Sequence, residues 1–91
     1  MNNNADIDDI KEQLKQIDIV IGQKIKARRE RLGISRKELA KAICVTQQQI
    51  AKYERSANRI SVSSLILVAN RLKKKICYFI PDLPENNIRE I

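Results

Sequence analysis

Two adjacent glutamines, Gln47 and Gln48, and a lysine four residues beyond the second, Lys52, are the side chains best equipped for recognition chemistry. A primary amide donates and accepts at once, so it matches a paired donor and acceptor such as N6 and N7 of adenine in the major groove, while a lysine reaches guanine or a phosphate. Cations and small polar residues surround them in sequence: Ser35 and Arg36 upstream, Arg55, Asn58 and Arg59 downstream. Catalytic chemistry has far less to draw on. The chain has no His, so it holds no imidazole base, no Ser-His or Cys-His couple and no imidazole metal ligand, and it shows no Gly-rich phosphate loop. Cys44 and Cys77 read as small buried hydrophobes with free thiols, because two distant cysteines cannot complete a tetrahedral zinc site. The expectation is a binding protein, not an enzyme, with no cofactor and no metal.

The elements that must position these residues are helices. Two Gly, two Pro, no Trp and three aromatic residues suit short helices better than a sandwich or barrel, and 91 residues suit one core with tails. The expected class is all-α. Residues 1–17 form an N-terminal arm, read as disordered or as a short amphipathic helix, since Ile7, Ile10, Leu14 and Ile17 recur at helical spacing. Asp18 is a suitable N-cap for a first helix carrying Ile21, Ile25 and Leu32 and ending at Gly33. Ser35 with Glu38 spells a capping box for a second helix that buries Leu39, Ala40 and Ile43. Thr46 caps a third, 47–55, so two short helices meet across a turn of about three residues, the geometry of a helix-turn-helix. On a helical wheel Gln47, Gln48, Ala51, Lys52 and Arg55 share one face, opposite Ile50. Ser61 or Ser63 caps a fourth helix with Leu65, Val68, Ala69 and Leu72 inside, and a fifth short turn over 76–80 stops at Pro81. The domain is thus expected over 18–81, with 82–91 a tail.

The net charge of +7 is concentrated in the middle of the chain, with an acidic excess at both ends. Such a field attracts polyanions. No apolar run approaches the roughly 20 residues needed to span a bilayer, and no secretory signal follows the Asn-rich start, so the expected setting is the cytoplasm, without a membrane partner.

The stretch from Ile21 to Ser61, with its Gly-Ile-Ser-Arg lead-in at 33–36, Leu39-Ala40, Thr46-Gln47-Gln48, Tyr53-Glu54 and Asn58-Arg59-Ile60-Ser61, resembles the Cro and phage-repressor family of helix-turn-helix domains, also called the xenobiotic-response-element type. The resemblance spans roughly 18–80 and implies a five-helix, repressor-like fold. It also implies that Gln47, Gln48 and Lys52 read bases from the third helix, and that Ser35, Arg36, Arg55, Asn58 and Arg59 hold phosphates. Arg29 and Glu54 match a pair that in relatives forms a partly buried salt bridge. The implied partner is double-stranded DNA, a pseudo-palindromic operator bound by a homodimer whose surplus apolar residues are Ile66, Leu67, Ile76 and Ile80. An antitoxin or protein-interaction module that uses the same domain for autoregulation, with a toxin as partner, stands as the alternative. The sequence departs from the family at Cys44 and Ser56, where glycine is common, and at Lys73-Lys74-Lys75, which replaces a Leu-Gly-Val-like link before the last turn.

Overall fold

A computed structural model describes residues 3–82, with side chains from Asp6 onward. They form four α-helices, α1 (Asn3–Arg31), α2 (Arg36–Ile43), α3 (Gln47–Glu54) and α4 (Val62–Arg71), followed by one 3-10 turn over Ile76–Phe79. The fold is all-helical as expected, but the fifth element is this single 3-10 turn rather than an α-helix. Pro81 follows it closely and leaves no room for another α-helical turn. Among the described residues there is no strand, and no helix is long and apolar enough to cross a membrane.

The first helix corrects the sequence reading. Asp18 does not cap it; α1 runs unbroken from the arm through Asp18 to Arg31, 29 residues or about 43 Å at 1.5 Å each. No Gly or Pro interrupts residues 3–21, and the apolar spacing of the arm continues in phase into Ile21 and Ile25, so nothing makes the backbone leave the helix at Asp18. The arm and the first helix are one element, which accounts for the molecule's 49 Å long axis against 26 and 20 Å in the other directions. The tail assigned to 82–91 lies, apart from Asp82, outside the described residues.

The other helices start where capping chemistry puts them. Ser35, Thr46 and Ser61 have extended backbones, and each hydroxyl accepts from the backbone N–H three residues on, at 3.0–3.1 Å. Ser61, not Ser63, caps α4. All four α-helices also end alike, in the paired backbone bonds of a Schellman motif closed by a left-handed residue: Gly33, Cys44, Ser56 and Lys73, with φ of 68°, 59°, 56° and 62°. Three of the four lack the glycine that makes this conformation easy, and Cys44, like Cys77, is exposed rather than buried as its residue type suggested.

The core is a single cluster drawn from every element: Ile25 of α1, Leu39 of α2, Ile50 of α3, Val68 of α4, Leu72 at its end and Phe79 of the terminal turn are all essentially inaccessible. Ala40, 3% exposed, lets α2 and α3 cross closely, while Ile21, Leu32, Val45, Tyr53, Ile60 and Ile76 pack at the edge of the core. The lysine run does not loosen the terminal turn. Lys73 supplies the left-handed residue, Arg28 Nε donates to the Leu72 carbonyl at 2.9 Å, and Lys24 Nζ donates to the Tyr78 carbonyl at 3.1 Å. Lys24 and Lys74 also lie over the Tyr78 ring, 5.5 and 4.8 Å from its centroid.

Candidate nucleic-acid interface

α2, the turn Cys44-Val45-Thr46 and α3 form the helix-turn-helix. The turn is held by backbone: Val45 N–H reaches the Ala40 carbonyl at 3.0 Å and Cys44 N–H the Lys41 carbonyl at 3.4 Å. α3 then presents two faces. Ile50 is 1% exposed at its back, whereas Gln47, Gln48, Lys52 and the C-cap residue Arg55 are exposed at its front. Four of the residues named from sequence are therefore on one open helical surface.

Glu54 ties the motif to the rest of the domain. Its carboxylate, with the side chain 1% exposed, accepts Arg29 Nε at 2.7 Å and Nη2 at 3.2 Å, and Arg36 Nε at 3.0 Å. Arg29 Nη1 donates in turn to the Ile34 carbonyl at 2.9 Å. One carboxylate at the end of α3 thus holds a guanidinium from α1 and another from the first residue of α2, and the buried pair, Arg29 and Glu54, is compensated by several hydrogen bonds. Arg36 was read from sequence as a free phosphate ligand. The structure spends its Nε on Glu54 and leaves the tip of a side chain 42% exposed toward solvent.

Arg59 is engaged in a similar way. Its Nε donates to Asp18 Oδ2 at 2.9 Å, so the loop after α3 is tethered to α1 by the residue first read as a helix cap. Asn58 stands exposed beside it. At the other end of the motif, the Ser35 hydroxyl accepts from the Glu38 backbone N–H at 3.0 Å while the Ser35 backbone N–H donates to Glu38 Oε1 at 3.1 Å; that backbone N–H first, and the Ser35 side chain second, hold the Glu38 carboxyl below its ordinary value of 4.5, with a smaller contribution from Arg71. The Ser35 hydroxyl is therefore already the acceptor for its own helix.

Gly22 was not singled out in the sequence, yet it sets how α3 leans on α1. A Cβ at this position would lie 2.5 Å from the Tyr53 carbonyl oxygen and 2.7 Å from that of Glu54, closer than real side chains come. The two helices touch backbone to backbone just where α3 ends. A glycine inside a run of helical spacing was the available signal.

The helix-turn-helix family model matches residues 25–79. The chain belongs to the helix-turn-helix family, of the Cro and phage-repressor type. An uncharacterised HTH-type transcriptional regulator of Rickettsia prowazekii (strain Madrid E) is 49% identical over 74 residues, 81% of this chain and 57% of that protein. The chain spans less than two thirds of the length of that relative. Among solved helix-turn-helix structures, the P22 c2 repressor in complex with a synthetic operator superposes with a TM-score of 0.64 at 28% identity, covering 67% of this chain and 92% of that one. The biofilm master regulator SinR in complex with DNA superposes at 0.61 and 30% identity, covering 65% and 95%.

Proposed function

We propose that this helix-turn-helix protein binds double-stranded DNA sequence-specifically and regulates transcription as a repressor, with α3 in the major groove. The observation that carries this is the open front of α3, Gln47, Gln48 and Lys52, fixed from behind by Ile50 and Glu54. That the similar P22 repressor was crystallised with an operator supports it. Gln47, Gln48 and Lys52 read base edges; Ser35, Arg36, Arg55, Asn58 and Arg59 meet phosphates on either side. For Arg36 and Arg59 the guanidinium tips remain available while Glu54 and Asp18 hold their Nε atoms, so both cations are aimed in advance. No catalytic step belongs to this function, and its setting is the cytoplasm, on the nucleoid.

The bound form is a homodimer on a pseudo-palindromic site, its two reading helices about one turn of DNA apart. Ile66, Leu67 and Ile80, each 44–50% exposed, supply an apolar face for it on α4 and beyond the terminal turn. Selection of bound duplexes from a random pool tests the reading directly, with an enriched inverted repeat expected. Gln48→Ala then relaxes base preference within that repeat, while Arg55→Ala weakens all sequences alike and lowers the salt slope by about one. Failure to enrich any motif, or equal losses on selected and random DNA for both variants, would refute the assignment.

A further inference from the structure

Among the described residues, nothing packs against the N-terminal half of α1. Residues 6–16 are all exposed, and Ile7, Ile10 and Leu14 are 46%, 55% and 38% open to solvent. An isolated helix of this length is marginal in water, so a stripe of branched apolar residues along it calls for a partner. Its spacing defines the partner. Ile7, Ile10, Leu14, Ile17 and Ile21 alternate by three and four residues, the a and d positions of a coiled coil, and the seam runs without a break into partly buried Ile17 and Ile21.

We infer that α1 pairs along this seam with α1 of a second copy, as a parallel two-stranded coiled coil. The flanking charges choose the orientation. Asp6 falls at a g position and Lys11 at the following e position, so parallel helices set Asp6 of each copy against Lys11 of the other, twice per pair. The antiparallel register that would cover the same stripe, Ile7 opposite Ile17 and Ile10 opposite Leu14, brings Lys11 against Lys11 instead. This surface lies on α1, apart from the α4 face, and its pairing needs no DNA.

The chain with Cys44→Gly and Cys77→Ser carries a single introduced cysteine at either Ile10, inside the seam, or Asp9, on the outer face of the coil. Under oxidised glutathione the Ile10→Cys chain is expected to form its symmetric disulfide at least about ten-fold faster than the Asp9→Cys chain. Equal rates would overturn the inference and leave the stripe to a different partner. Faster linkage between Ile10→Cys and Leu14→Cys chains than within either alone would overturn the parallel register. Sedimentation equilibrium in a Leu67→Lys background, where association through α4 does not contribute, supplies the second readout. Asp6→Lys and Lys11→Asp should each weaken self-association about ten-fold, and the double reversal should restore it. No loss on single reversal, or no recovery in the double variant, would count against the pairing. Because α4 is disabled and no DNA is present, this outcome is separate from that of the operator selection.

Discussion

Glu54 concentrates more of the structure than any other single residue, because three hydrogen bonds from two arginines of two other helices end on its buried carboxylate. Glu54→Ala strands the buried Arg29 guanidinium and is expected to lower stability by about 3–5 kcal/mol, measured by urea unfolding at neutral pH. Arg36→Ala should do much less, since its side chain is 42% exposed and Arg29 keeps Glu54 compensated. Equal losses would mean that the pair with Arg36 is as structural as the pair with Arg29. At Cys44 the balance runs the other way. A left-handed conformation costs a non-glycine residue about 1–2 kcal/mol, and glycine's extra freedom in the unfolded chain takes back about 0.5–1 kcal/mol, so Cys44→Gly should stabilise by roughly 0.5–1 kcal/mol. An unchanged or lower unfolding midpoint would contradict that balance. The positions of the glutamines, the capping serine and threonine, and the Arg29–Glu54 match were open to sequence reasoning because they follow local rules or a family pattern. The engagement of Arg36 with Glu54 and of Arg59 with Asp18 was not. A guanidinium reads as a free cation until the fold shows which carboxylate, 18 or 41 residues away, lies within its reach.

Among the elements, α2 carries the clearest pH response. Because the Ser35 N–H and hydroxyl hold the Glu38 carboxyl below its ordinary value, the stability contributed by the capping box is fully present above about pH 4.5 and is lost as pH falls through the lowered value. The melting temperature of the parent should therefore exceed that of Glu38→Gln at neutral pH, and the gap should close on acidification below pH 4.5. A gap that stays constant to pH 3 would show that the box does not titrate with folding. The starts of α2, α3 and α4 were legible because an N-cap is a local device, needing one hydroxyl and the N–H three residues on. Their ends were less so: Cys44, Ser56 and Lys73 adopt a conformation that composition associates with glycine, accompanied here by the paired backbone bonds that close each helix. The start of α1 was misplaced for a related reason. Asp is favoured at an N-cap by about 1 kcal/mol, and an unbroken helical backbone, with the Asp18 carboxylate accepting from Arg59 instead, outweighs it.

For the whole molecule, charge is unevenly spread along the chain. The basic excess of the central residues predicts operator affinity that falls log-linearly with salt, with a slope of about −0.9 for each phosphate neutralised. If the proposed α4 dimer holds, Leu67→Lys should reduce operator affinity by weakening that dimer while leaving the melting temperature of the monomer unchanged, because Leu67 is half exposed. Calorimetry and a binding titration on the same variant separate the two. An affinity equal to the parent's would place the dimer contact elsewhere. The overall class was readable because hydrophobic spacing and caps agree along 60 residues; the shape was not, since a helix twice the expected length changes the outline without changing the pattern. The two glycines carry a consequence for how such a chain tolerates change. Gly33 has open space around it but a backbone only glycine adopts readily, and Gly22 has an ordinary helical backbone but no space. In a library varying every position, residue 33 would grade its substitutes by backbone preference, Asn ahead of Ala and Ala ahead of Val. Residue 22 would reject them by volume alone, since even one methyl group has to push the reading helix off its support.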